Sequence, residues 1–335
     1  MKYYIYISLF VLFVIICLIC KYLLDLSKES KKLNKLNKSN KSNKSVQFSF
    51  NSIIERINTL INDDIDYYIS TVKYDKLNEM CKYSMDSGKR IRSILIYTLS
   101  NKDLEKCKYG ILFIEYLHAS SLVMDDIMDN DTYRRNNLCV YKKYGYTYAQ
   151  LVSIYLLSLS LINLNKFITQ HKCYYLLNIV TNNFEKLCRG QYCDINKSCI
   201  GSSISINELM LYKTSSLFEI SYIIGWISKH NRNNYNYADL NKRINKIKYI
   251  SKQFGLLFQI SDDFEDIEKD YKNNQDINIV TSKGISESVN RFKKILNSFV
   301  INSNKLNLYL SEIEEICLYL ENKVLNQAKK YNNIF

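Results

Sequence analysis

Residues 115 to 135 read EYLHASSLVMDDIMDNDTYRR and combine acids with arginines at helical spacing. At about 100° per residue, Glu115, His118, Leu122, Asp125 and Asp129 fall on one stripe, because positions three and four apart are helix neighbours. Asp125 and Asp129 then project from adjacent turns on one side, with Asp126 and Asp131 close by. Like charges at i and i+4 destabilise a helix, so something positive should offset them. A hard divalent cation fits, and Mg2+ typically takes one or two carboxylates plus substrate phosphates. Arg134 and Arg135 follow immediately, and guanidinium forks match phosphate oxygens. The chemistry implied is a diphosphate held through Mg2+.

The device recurs. Residues 254 to 270 read FGLLFQISDDFEDIEKD, which puts Gln259, Asp262 and Asp266 on one stripe with Asp263 and Asp270 nearby. A single DDxxD element is most simply a solvated acidic helix face. Two copies, DDIMD at 125–129 and DDFED at 262–266, each inside an apolar run, do not suit that reading.

Long helices must carry these side chains. The 335 residues include no Pro and only 8 Gly, a composition that favours helices over a turn-rich β fold. Abundant Asn, Lys, Tyr and Ile also fit an A/T-rich genome. Ile53, Ile54, Ile57, Leu60 and Ile61 keep helical spacing, residues 146–164 read as an apolar core helix, and Leu306 to Lys330 reads as an amphipathic helix for packing only. The 10 cysteines show no zinc spacing and read as free thiols in a reducing compartment, and 3 His are too few for a histidine metal site. Trp226, the sole tryptophan, reads as core.

The net charge of +13 invites a nucleic-acid reading. About half of it sits between Lys21 and Lys44, and the paired acids contradict a nucleic-acid surface, so no nucleic-acid partner is expected. Residues 3–20, YYIYISLFVLFVIICLIC, are apolar and with Leu24 reach about the ~20 residues that cross a bilayer. Tyr3, Tyr4 and Tyr22 suit the interfaces, and no A-x-A-like cleavage site follows. The expected organisation is a transmembrane anchor at 1–24, a basic flexible linker at 25–46 and one domain at 47–335. One Lys precedes the apolar run and eight follow it closely, so the expectation is a single-pass, membrane-anchored protein with its catalytic domain facing the cytosol.

LHASSLVMDDIMDNDTYRRN, followed by Tyr144-Gly145 and paired with DDFED, resembles the trans-prenyl diphosphate synthases of the isoprenoid synthase family. The likeness is greatest to geranylgeranyl diphosphate synthases of eukaryotes and large DNA viruses. It covers roughly Asn51 to Asp270 and implies an all-α isoprenoid synthase fold, with helices around a deep central cavity and the two acidic motifs facing each other across its mouth. Within SMDSGKRIRS at 84–93, Gly88, Lys89 and Arg92 match the family's GGKRxRP element, so the resemblance gives Lys89 and Arg92 the diphosphate of isopentenyl diphosphate. Ser87 and Ser93 depart from that pattern, and the Gly-Asp pair usual in the later apolar helix is absent. RGQYCD at 189–194 matches GQxxD, so Gln191 and Asp194 would support the metal region. Lys213 and Thr214 match the family's KT pair, one at the allylic diphosphate and the other near the developing cation. Lys272 or Lys283 would close over the diphosphate, where the family usually has a Gly-Lys.

The resemblance thus implies a chain-elongating prenyltransferase. Asp125 and Asp129, with Asp126, would hold Mg2+ from one side and Asp262, with Asp266, from the other, two or three ions in all. Lys213, Arg134 and Lys272 would meet the departing diphosphate. Lys89, Arg92, Arg135 and His118 would hold isopentenyl diphosphate, while Thr214 and Gln259 aim dipoles at the cation. Ser120 and Ser121, small residues five and four before Asp125, imply a product longer than three isoprene units, geranylgeranyl diphosphate. A homodimer is the family's habit. A terpene cyclase or head-to-head synthase of the same fold would not need the basic cluster, and a non-catalytic subunit would not need both acidic motifs.

Overall fold

The computed structural model describes residues 50–70, 75–86, 88–230, 237–268 and 278–331. The expected anchor, the linker and Lys272 lie outside these residues. The all-helical expectation holds for what is described, except for one short ribbon. In order run α1 (Phe50–Ser70), α2 (Asp75–Met85), α3 (Ile91–Leu99), α4 (Leu104–Asp129), strands β1 (Tyr133–Arg134) and β2 (Asn137–Leu138), α5 (Val140–Tyr144), α6 (Tyr146–His171) and α7 (Tyr175–Ile195). Then come α8 (Ile206–Met210), a π-helical turn (Leu211–Ser215), α9 (Ser216–Lys229), α10 (Tyr237–Glu265), α11 (Ile279–Lys283), α12 (Ile285–Lys305) and α13 (Ser311–Tyr331).

The helices follow the apolar period. In α1, Ile53, Ile57, Ile61 and Ile65 are buried one turn apart, while Glu55, Arg56 and Thr59 face water. Helix α9 is apolar all round, and every residue from Ser216 to Ser228 is buried, as expected of a helix with no solvated face. It packs against α3, α4, α7 and α10. Edge-on aromatic contact ties it down, with the Phe218 and Phe254 rings 5.1 Å apart and Phe254 in turn 5.5 Å from Phe299. Trp226 is core, as expected, and stacks on His230. Glu219, a charge inside this helix, accepts from Asn183 Nδ2 at 2.9 Å and lies 3.6 Å from Lys248 Nζ.

Helices α4 and α6 form the longest pairing, each 26 residues. Helix α6 is long and apolar enough to cross a membrane, yet 56% of its apolar window is buried within the protein. It is the core helix that the sequence suggests. Ser120 on α4 donates to the Ser153 carbonyl at 2.8 Å and Ser153 donates back to the Ser120 carbonyl at 2.9 Å. Ser120, expected on a channel wall, therefore belongs to the α4–α6 seam. Cys81, Cys107, Cys139, Cys188, Cys193, Cys199 and Cys317 are free thiols. Burial pushes Cys81, Cys107 and Cys317 up to about 12, which makes them inert.

Candidate active site

Asp103 caps α4, and Asn130 ends it in the left-handed region at φ 57°. The first acidic motif therefore fills the last turn, where the helix dipole presents its negative end. That placement raises the cost of the acids until a cation offsets them. Burial first, then the neighbouring Asp125, pushes Asp129 up to about 6, with Asp194 and Asp131 adding to the rise and Lys213 opposing it. The following ribbon turns at Arg135 and Asn136, both at positive φ (51° and 67°), and folds Arg134 back over the helix end. Arg134 Nε donates to Asp126 Oδ1 at 2.5 Å, and its guanidinium reaches Asp125 Oδ2 at 3.6 Å.

This geometry gives two expected site residues protein partners. Asp126, expected among the metal ligands, is buried and bonded to Arg134, because adjacent residues point about 100° apart. Arg134, expected at the departing diphosphate, is engaged in holding the motif.

Lys213 and Thr214 sit on the π-helical turn, which two glycines allow to pack closely. A Cβ on Gly255 of α10 would fall 2.7 Å from Ser215 Cα, and one on Gly190 of α7 would fall 3.1 Å from the Lys213 backbone nitrogen. Lys213 donates a short ion-paired hydrogen bond to Asp194, which joins the KT and GQxxD segments. Although burial opposes its charge, Asp125, Asp194 and Asp129 hold the Lys213 ammonium above its usual range. Beside it, the Thr214 hydroxyl donates to the Gln259 side-chain carbonyl, and Gln259 Nε2 donates to Asp263 Oδ1 at 2.7 Å. One turn thus places Lys213, bonded to Asp194 and in the field of Asp125 and Asp129, beside Thr214, bonded to the helix of the second motif.

In the second motif the paired acids also divide. Asp263 is buried, and its other oxygen accepts the Ile279 N–H at 2.9 Å, while Asn278 Nδ2 reaches its backbone carbonyl at 2.7 Å. It anchors the start of α11. Asp262 faces the site, and burial raises it against the pull of Lys323 and Lys89. Lys323 of α13 bonds Asp262 Oδ1 at 3.1 Å and also pairs with Glu265. The C-terminal helix, expected to pack only, therefore reaches the site. Asp266 is exposed just past the end of α10, and its N–H bonds the Asp262 carbonyl at 3.0 Å. Lys89 is exposed and 3.9 Å from Glu265 Oε2.

A basic cluster lies between the motifs. Arg92 reaches His118 Nε2 at 3.1 Å and lies 4.6 Å over the Phe218 ring, while its Nε is buried without a hydrogen-bond partner. Burial, opposed by Glu115 and Asp262, brings Arg92 down to about 10. Burial and then the Arg92 and Arg135 charges push His118 well below its usual range, so it is neutral at pH 7. An orphaned cationic donor among crowded positive charges suits an anion. Glu115, the first member of the stripe, does not join the site. It is buried against Arg90, at 2.7 Å, and accepts from Ser93 Oγ at 2.5 Å. Arg90, at φ 52°, turns the chain into α3 and so aims Arg92 inward. A Lys-Arg-rich run gives no sign of which arginine is buried.

Among the described residues, no group of three or more His, Cys, Asp or Glu side chains is gathered tightly enough to hold a metal by itself. Mg2+ tolerates that, since phosphates complete its shell. The donor set fits: Asp125 and Asp129 are open carboxylates on adjacent turns, and Asp262 already accepts a cationic group, the Lys323 ammonium.

The polyprenyl synthetase family model matches residues 74–278, more than half of the chain. The chain belongs to the polyprenyl synthetase family. Membership makes it an enzyme of the polyprenyl diphosphate synthase class. It is 29% identical over 218 residues to a short chain isoprenyl diphosphate synthase of Methanocaldococcus jannaschii, a match spanning 63% of each chain. It is 29% identical over 286 residues to a farnesyl diphosphate synthase of Buchnera aphidicola, covering 78% of this chain and 98% of that one. The solved geranyltranstransferase of Thermotoga maritima superposes with a TM-score of 0.65 at 21% identity, covering 84% of this chain and 99% of the other. The fold of this polyprenyl synthetase is thus the isoprenoid synthase fold expected from its sequence.

Proposed function

We propose that this polyprenyl synthetase joins isopentenyl diphosphate to an allylic diphosphate by 1′-4 condensation, with Mg2+, and that its main product is geranylgeranyl diphosphate. The observation that carries the reading is the fork at Lys213 and Thr214, one side chain bonded to Asp194 in the field of Asp125 and Asp129 and the next bonded to Gln259 on the helix of the second motif. A reaction that expels diphosphate and leaves a carbocation needs both sides. Negative charge must be gathered at the leaving oxygens while oriented dipoles face the carbon.

Asp125, Asp129 and Asp262 would hold Mg2+, which when bound neutralises the leaving diphosphate as a Lewis acid. Lys213 adds a direct positive contact at the departing oxygens. Arg134 does not leave the protein framework; it clamps Asp126 and so aims the Asp125 carboxylate. Arg92, Arg135, Lys89 and neutral His118 bind the diphosphate of the second substrate, where the orphaned Arg92 Nε gains an acceptor. The Thr214 hydrogen is directed to Gln259, which leaves oxygen lone pairs to face the cation. The double bond of isopentenyl diphosphate attacks that cation, and the proton then lost from C2 passes to the released diphosphate. No side-chain base is required.

Non-aromatic residues beneath Asp125 support a long product. Ser121 and Leu122 lie one turn below it on the same stripe, and neither is aromatic. A single-pass anchor at residues 1–24 with the enzyme domain in the cytosol, and a homodimer, belong to the same proposal; they rest on the apolar run, the lysines after it and the family's habit. The test is to incubate the full-length chain in detergent with Mg2+, labelled isopentenyl diphosphate and each allylic starter in turn. A twenty-carbon product ladder is expected. No condensation with any starter overturns the reading.

A further inference from the structure

Helix α13 delivers two lysines to the acidic stretch that closes α10. Lys323 bonds Asp262 Oδ1 at 3.1 Å and pairs with Glu265, and two turns later Lys330 bonds Glu268 Oε1 at 3.0 Å beside the Tyr331 hydroxyl at 2.7 Å. The two sites differ in character. Lys330 and Glu268 are more than half exposed, a surface pair of small value. The Lys323 side chain is only 12% exposed, and its stem is flanked by Leu320 and Val324, both buried. Its ammonium therefore reaches Asp262 from a packed helix, not from solvent.

Asp262 is the carboxylate that the proposed function assigns to a metal on the second side, and the inference rests on that reading. Two cations a few ångströms apart repel strongly where water is sparse. A Lys ammonium is a compact charge on a flexible stem, able to swing without moving its helix. We propose that Lys323 is a displaceable counter-ion of the second acidic motif: it neutralises Asp262 and Glu265, and a divalent cation at Asp262 must push it aside. Metal binding at the second motif is then coupled to the contact that fastens the C-terminal helix.

The experiment follows the melting temperature of the full-length chain in detergent against Mg2+ concentration, at fixed inorganic pyrophosphate. Lys323→Met keeps the stem and removes the charge, and Lys323→Gln keeps a hydrogen bond to Asp262 without the charge. Both are expected to melt lower than wild type in chelator and to reach half of the Mg2+ response at a roughly five-fold lower concentration or less, the low end for coupled sites. Lys323→Arg, which keeps the charge, is expected to hold the wild-type midpoint or exceed it. A neutral variant with an unchanged or higher midpoint overturns the inference alone, and a higher one makes Lys323 a ligand of the pyrophosphate. A wild-type chain whose melting ignores Mg2+ at every concentration overturns the metal reading of Asp262 and this inference with it.

Discussion

The Thr214 hydroxyl donates to the side-chain carbonyl of Gln259. The direction is fixed from behind. Gln259 Nε2 faces the Asp263 carboxylate, which only accepts, so the Gln259 oxygen must face Thr214. Asp263 thus fixes the orientation of Gln259 and, through it, that of the Thr214 hydroxyl.

Replacing Thr214 by Val keeps its shape and removes the oxygen. The expected result is a fall in kcat on the order of 10²-fold, the usual scale for one oriented dipole, with KM for both diphosphates near wild type. Steady-state kinetics on the two substrates checks it. A large rise in KM with unchanged kcat would place Thr214 in binding instead.

Gly255→Ala tests the seat of the π-helical turn. The added methyl would meet Ser215 Cα at 2.7 Å, backbone that has nowhere to go. A loss of about 1–3 kcal/mol is expected from overpacking, together with a fall in kcat as Lys213 and Thr214 shift. Chemical denaturation and kinetics on the same sample measure the two effects.

The two serines beneath Asp125 should behave differently. Ser121 is half-buried on the Asp125 stripe, so Ser121→Phe is expected to shorten the main product. Ser120 is locked to Ser153 within the α4–α6 seam, so Ser120→Phe is expected to cost about 1–3 kcal/mol of stability. Thin-layer chromatography of the products and thermal melting separate the outcomes.

The pH dependence of stability in chelator should show Asp129 and His118 acting in opposite directions. Asp129 is raised to about 6, so the folded state binds its proton more tightly than the unfolded chain does. Its contribution is present below about 4, the ordinary carboxylate value, and is lost as pH rises through about 6. His118 is lowered, so its contribution is present above its ordinary value of about 6.5 and is lost as pH falls below it. Asp129→Asn should therefore melt higher than wild type at pH 7 in chelator, and Mg2+ with pyrophosphate should close most of the gap. Melting curves between pH 5 and pH 8 check both signs.

Much of this site is legible from sequence because its parts are local. The stripe through His118, Asp125 and Asp129, the Lys-Thr pair and the two acidic runs each lie within a few helical turns. Rotation about the helix axis separates neighbours that share a motif. Asp125 and Asp126 are chain neighbours about 100° apart, so Asp126 is buried against Arg134 while Asp125, 3.6 Å from the same guanidinium, stays on the Asp129 stripe, and Asp263 is likewise buried beside a more open Asp262. Lys323 had no local signal. It lies 61 residues beyond Asp262 on a helix whose other lysines are ordinary solvated charges. The burial of Arg90 against Glu115 was equally hidden, since a basic run does not say which member turns inward.

The wide turn at Leu211–Ser215 has a bearing on how the enzyme core and its chemistry depend on each other. A π-helical turn holds one more residue than an α turn, so α9 leaves it rotated relative to the axis on which α8 entered. If the turn tightened to regular α geometry, every side chain of α9 would rotate by roughly 100°. Because α9 is buried on all sides, that rotation would unseat Phe218, Tyr222 and Trp226 together. The interior thus acts as a mould that keeps Lys213 and Thr214 splayed toward different motifs, and a sequence repacked for greater regularity would gain a smoother helix at the expense of its fork.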